Sequence, residues 1–189
     1  MGNGTIMARA GTSREKILKA AAELAMCEGA AHLSLDAVAA RAGVSKGGLL
    51  YNFPNKTALM RALVEQFIEE FRAEIEDAPG TSDGEALAAR FLELGTRKLR
   101  EKTPRSSGVL AALAEDPGLL APVKTFNREL LDRMKDDAAD PGAILVAFMV
   151  MEGLRAQHVF GIDVLDDEER RLLMEKVFAL LGKAPASAA

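Results

Sequence analysis

Apolar side chains recur along this chain at the three- and four-residue spacing of helices, with caps and breakers between the runs. Ile17, Leu18, Ala21, Leu24 and Ala25 form a first stripe, preceded by a capping Thr12 or Ser13 and followed by Gly29. Ser34 opens a short second helix with Leu35, Val38, Ala39 and Ala42 inward, and Gly43 breaks it. Ser45 caps a third, which must stop at Phe53 because the residue before Pro54 resists helical angles. Asn55 caps a long fourth helix to about Asp77, with Leu59, Leu63, Phe67 and Phe71 along one side. Pro79 to Gly84 is a loop, and further helices are expected over 84–102, 105–114, 117–137, 141–160 and 167–181, separated by Pro104, Pro117, Pro141 and Gly161. No segment alternates in the manner of a strand. The expected fold is all-α with about nine helices. The expected division is a loose N-terminal segment over 1–12, a three-helix unit over 13–56, a larger helical unit over 57–182 and a low-complexity tail over 183–189.

Composition narrows the class. Hydrophobic residues make up 49% of the 189 positions, enough for real cores. The longest apolar run, Ala143 to Met151, falls short of the roughly 18–20 residues a bilayer requires. No basic region followed by an apolar run marks a secretory leader, and Met7 offers a second start position. A single cysteine, Cys27, excludes an internal disulfide framework and is expected to line the core. A cytoplasmic protein is the expectation. The net charge of −4 is unevenly spread. Residues 1–56 carry seven Lys/Arg against four acids, and the remainder carries 17 against 24, so a head of +3 precedes a body of −7. A basic head on an acidic body suits phosphate contact by the head alone.

The stretch Ser34 to Lys56, SLDAVAARAGVSKGGLLYNFPNK, carries the chemistry. Two short helices joined at a glycine form a helix-turn-helix, whose second helix enters the DNA major groove. Val38, Ala39, Ala42, Val44, Leu49 and Phe53 can lock the angle between the helices. Gly47 and Gly48 in the first turn of the second helix each cost roughly 1 kcal/mol against alanine, which close approach to another surface would explain. Lys46 and the helix start can meet phosphate. Tyr51 and Asn52 are expected to point outward, the tyrosine toward phosphate or a thymine methyl and the asparagine toward adenine. Lys56 can clamp the backbone, and Ser34 and Ser45 join the contact set as caps at the same face.

The run from Ser13 to about Gln66 resembles the DNA-binding domain of the TetR family. It has the Ile17-Leu18-x-x-Ala21 opening, the Ala-Gly-Val-Ser turn at 42–45 and the Leu-x-Tyr-x-Phe-Pro-x-Lys signature at 49–56. Glu152-Gly153-Leu154-Arg155 with Phe160-Gly161 is also similar to the penultimate helix of many members. The chain departs from the family's common pattern at Leu35, Asp36 and Leu50, which removes possible DNA contacts.

The resemblance implies a ligand-responsive repressor acting as a homodimer on a palindromic double-stranded operator. It also implies a small organic effector within the body. Phe67, Phe71, Phe91, Phe126 and Met149 are candidate lining residues, and Arg155 is a candidate anchor for an anionic group or a partner in an interface ion pair. Helices 141–160 and 167–181 would pair with their symmetry mates through Ile144, Leu145, Phe148, Met151, Val159, Leu172, Leu173, Val177 and Leu180. No cofactor, metal or membrane is expected: His32, His158 and one cysteine make no zinc cluster, and Asp166 to Glu169 reads as a helix start rather than a catalytic pair. No nucleophile elbow, phosphate loop or HExxH appears, so an enzyme is not expected. The alternative is a protein- or ligand-binding module of the same fold with weakened DNA binding.

Overall fold

The computed structural model describes residues 12–28, 33–76, 83–100 and 117–183. These residues form eight α-helices: α1 (Ser13–Glu28), α2 (Leu35–Ala42), α3 (Lys46–Asn52), α4 (Lys56–Glu76), α5 (Gly84–Arg100), α6 (Ala121–Lys135), α7 (Pro141–Phe160) and α8 (Asp167–Leu180). The helix expected over 105–114 lies outside the described residues, as do Gly29 and His32, the segment 1–11 and the tail from 184 onward. α6 starts later than expected. A single 3-10 turn, Pro117–Leu120, leads into it, and no side chain caps its start. Pro122 is tolerated only because the first-turn amides have no partner within the helix.

Side chains set the other boundaries. Ser34 Oγ accepts from the Ala37 amide at 3.1 Å, and Ser45 Oγ accepts from the Gly48 amide at 3.1 Å. Gly43 closes α2 with φ +66°, a left-handed angle that only glycine adopts without strain, and its amide donates back to α2 carbonyls. The chain can therefore turn from α2 into α3 within three residues. Asp140 caps α7 by accepting from the Ala143 amide, with Pro141 at the first helical position. Asp166 and Glu169 form a reciprocal capping box at α8, so those acids are spent on a helix start.

α1 packs on α2, α3 and α4, and α2 on α3. Ile17, Leu18, Ala21, Leu24, Val38, Ala39, Leu49 and Phe53 are all buried between them. Ala42 and Val44 pack against this cluster from its edge. α4 then continues away from the first three helices and packs on α5 and α6. It buries Leu59 and Leu63 near its start and Phe71 and Ile75 near its end, so one rigid rod is shared by two groups of helices. α5 lies against α6 and makes its most extensive contact with α7, and α8 packs on α7. Gly95 permits the α5–α7 approach, because a methyl group there would overlap the Met151 thioether. The buried apolar residues form a single continuous cluster from Ile17 to Leu181.

Candidate nucleic-acid interface and effector core

α3 is a short helix anchored by one residue. Leu49 is fully buried, and Phe53 just beyond the helix is also in the core. The opposite side faces solvent, with Tyr51 91% exposed and Leu50 at its edge. Gly47 has open space where a side chain would stand, so the fold of this chain does not itself require glycine there. At Gly48 an added Cβ would press on Ser45 Oγ. Ser34 and Ser45 are occupied as caps, each still with a hydroxyl hydrogen to donate.

Two side chains sit differently from the sequence reading. Asn52 does not extend freely toward solvent: its Nδ2 donates to the Gly48 carbonyl oxygen at 2.9 Å, one turn back. Lys46 is held by Asp36, with Nζ at 2.9 Å from Oδ1 and 3.2 Å from Oδ2. The departure at Asp36 thus does more than remove a contact, because it places a carboxylate on a cation of the exposed face.

A basic cleft of about 530 Å³ opens beside α3, between the start of α1 and the first turns of α4. Arg14, Asn52, Asn55, Thr57, Arg61 and Glu65 line it, two cations against one carboxylate. The Arg14 guanidinium lies 5.4 Å from the Phe53 ring centroid, and Asn55 Oδ1 accepts from the Ala58 amide at 2.8 Å. The sequence reading missed Arg14 and Arg61. The signal available was their placement one turn or so from helix starts already identified, but nothing in linear order brings Arg14 to α4.

In the larger group of helices the expected aromatic residues do meet. Phe67 stacks on Phe71, Phe71 stands edge-on to Phe91 and Phe126 at centroid distances of 6.2 and 6.0 Å, and Phe91 stacks on Phe148 at 5.3 Å. Arg155 joins them over the Phe71 ring and pairs with Glu152 of its own helix, so its ion pair is internal to the chain. Met149 does not join them; it is 65% exposed on the outer side of α7.

The residues expected at a helix-pair interface divide into two sets. Ile144, Phe148, Met151 and Val177 are buried inside the protomer, whose own α5–α7–α8 packing already uses them. Leu145, Leu172 and Leu180 are exposed, and Leu173 is half-buried. The side chains of Val159 and Cys27 lie outside the described residues. Val146, Met149 and Phe160 of α7 and Ile162 and Val164 of the α7–α8 connection are also exposed. His158 Nδ1 lies 3.5 Å from Asp163, which also approaches Arg170. Among the described residues no group of three or more His, Cys, Asp and Glu could hold a metal ion, and no helix is long and apolar enough to cross a membrane.

A helix-turn-helix with one exposed face, carried on a helical bundle with an aromatic centre, is the arrangement of a DNA-binding regulator. Residues 17–63 match the family model described as bacterial regulatory proteins, tetR family, and residues 84–182 match the tetracyclin repressor-like C-terminal domain. The chain belongs to the TetR family of transcriptional regulators, with a DNA-binding N-terminal domain and a ligand-binding C-terminal one.

Solved structures agree. The multidrug binding protein EbrR complexed with malachite green is 25% identical with a TM-score of 0.70, over 92% of this chain and 98% of that one. A TetR-family member from Streptomyces coelicolor is 26% identical with a TM-score of 0.69, over 88% of this chain and 98% of the other. GusR of Salmonella enterica shares the fold at 15% identity and a TM-score of 0.64, over 94% and 100% of the two chains. No curated protein matches the chain.

Proposed function

We propose that the chain is an effector-responsive repressor that binds a palindromic operator as a homodimer in the cytoplasm, with residues 13–56 as the reading head and 57–182 as the sensing and dimerising body. The observation that carries this is the two-sidedness of α3. Leu49 locks it into the core, while Tyr51 in its last turn stands almost wholly in solvent. Tyr51 and the open turn at Gly47 read the major groove. Lys46, Lys56, Ser34 and Ser45 hold phosphates, with Gly48 allowing the close approach and the oxygen of Asn52 left to accept from a base. Arg14 and Arg61 of the flanking cleft add backbone contacts.

The exposed apolar strip of Leu145, Val146, Met149, Leu172 and Leu180 is the surface on which a second copy packs, as such a patch in water calls for cover. Dimerisation would bring two heads to successive major grooves, about 34–36 Å apart. A small organic effector is proposed at the aromatic centre, in keeping with the malachite green bound by EbrR. Phe71 belongs to that centre and to α4, the rod that begins at Lys56 beside the head. An effector that fits only when Phe71 moves away from Phe91 would favour a different α4 position and so lower operator affinity.

Operator selection from random duplexes at physiological salt tests the reading. The expected result is an enriched inverted repeat retained by a dimer. A folded dimer that retains duplexes with no sequence preference would overturn it and favour the binding-module alternative.

A further inference from the structure

A positive charge already lies among the rings at the centre of the body. The Arg155 guanidinium carbon is 4.7 Å from the Phe71 centroid and 5.7 Å from that of Phe91. Its Nη1 donates to Glu152 Oε1 at 2.6 Å. The other oxygen of that carboxylate, Oε2, accepts from Asn127 Nδ2 at 3.2 Å, which holds Glu152 in place from a neighbouring helix. Phe148 behind Phe91 and Phe126 against Phe71 fix the two rings that the guanidinium covers. Aromatic faces carry negative potential, so the rings and the carboxylate all favour a cation.

We propose that this box is a recognition site for a delocalised organic cation and that Arg155 is its internal stand-in, displaced when the ligand binds. The proposal rests on the reading that the body binds a small organic effector, and it adds the charge class of that effector.

The charge balance decides between cation and anion. An anion can use Arg155 only by taking it from Glu152, which leaves a partly buried carboxylate unpaired beside two ring faces that repel the ligand as well. A cation exchanges one positive charge for another, and Glu152 stays paired and stays anchored by Asn127. Arg155 has somewhere to go, because its side chain is already 22% exposed and its stem is flexible. A guanidinium is a weakly hydrated, spread-out cation, so the ligand that replaces it best shares that character. Compact ammonium ions, which hold their water more strongly, fit less well. The box draws on α4, α5, α6 and α7, so a ligand larger than a guanidinium must part Phe71 from Phe91 and move α4.

The test is titration of the full chain, without DNA, with ethidium as a planar cation and fluorescein as a planar anion, in wild type, Arg155→Gln and Glu152→Gln. Wild type is expected to bind ethidium and not fluorescein. Arg155→Gln should bind ethidium about tenfold more tightly because no internal cation competes, and Glu152→Gln about tenfold more weakly. If Glu152→Gln does not fold, Arg155→Gln alone decides, since damage to the fold weakens binding and cannot mimic a gain. Weaker ethidium binding in Arg155→Gln, or no ethidium binding in either wild type or Arg155→Gln, would overturn the proposal. So would fluorescein binding that depends on Arg155, although the effector reading would then survive with the opposite charge class. The effector reading itself falls separately, if no cationic, neutral or anionic small molecule in a melting screen raises the melting temperature or alters operator retention.

Discussion

Asp36 sits ten residues before Lys46 in the chain and within ion-pair distance of it in space. Both side chains are well exposed, so the pair adds little stability. Its consequence is for DNA: a phosphate must compete with a carboxylate for the same ammonium, and the carboxylate itself repels the backbone. Asp36→Asn is therefore expected to raise operator affinity about two- to fivefold at low salt and to steepen the salt dependence by up to one ion. Lys56→Ala should do the reverse, weakening binding and flattening the slope by about one. A salt titration of both variants checks the signs, and an unchanged Asp36→Asn would place Lys46 off the DNA.

Helices in this chain are joined by close approaches and by ion pairs across their surfaces. Gly84, the first residue of α5, lies against the end of α6 so closely that a methyl group would overlap the Met134 carbonyl oxygen and stand 3.1 Å from that of Asp136. Backbone cannot swing aside as a side chain does, so Gly84→Ala should destabilise by about 2 kcal/mol in urea unfolding.

Glu74 ties α4 to α5 by accepting from Lys98 Nζ at 2.7 Å and from Arg97. Burial alone would raise its pKa, but Lys98 and Arg97 together outweigh that and hold it below the ordinary carboxylate value of 4.5. A depressed carboxylate contributes stability that is complete above its unfolded pKa and is lost as pH falls through the folded one. Acid should therefore weaken the α4–α5 joint only below about pH 5. In Glu74→Gln the urea midpoint should be lower near neutrality and should fall less steeply below that pH; an acid limb as steep as wild type would rule the contact out.

The surface proposed for pairing lies on α7 and α8, and the helix-turn-helix on α2 and α3. Met149 and Leu172, 65% and 52% exposed, lie on the strip and outside the protomer's core. Charge there leaves the protomer fold intact but opposes a second copy. Met149→Glu with Leu172→Glu is expected to sediment as a monomer with an unchanged helical spectrum and to lose operator retention at least tenfold, since each head alone makes half the contacts. A double variant that stays dimeric would move the interface elsewhere.

Periodicity and punctuation are local properties, and they were readable directly. The stripe of Ile17, Leu18, Ala21, Leu24 and Ala25 is buried in full, Gly43 is left-handed, Ser34, Ser45 and Asn55 cap the helices they precede, and Asp166 to Glu169 start α8. Such features depend on neighbours within about one helical turn. The same is true of the two-sided α3, because burial of Leu49 on a short helix dictates that Tyr51 points away.

What depended on the tertiary structure is which of several apolar or charged residues on a helix meets which partner. A stripe on α7 has the same composition whether it faces α5 or solvent, and only the packed bundle assigns Ile144, Phe148 and Met151 to the core and Leu145 and Met149 to the outside. Asn52 folding back on Gly48, Asp36 reaching Lys46, and Arg155 settling over Phe71 against Glu152 are likewise choices among competing hydrogen-bond and charge partners. Those choices turn on differences of about 1 kcal/mol that distance and burial in three dimensions determine.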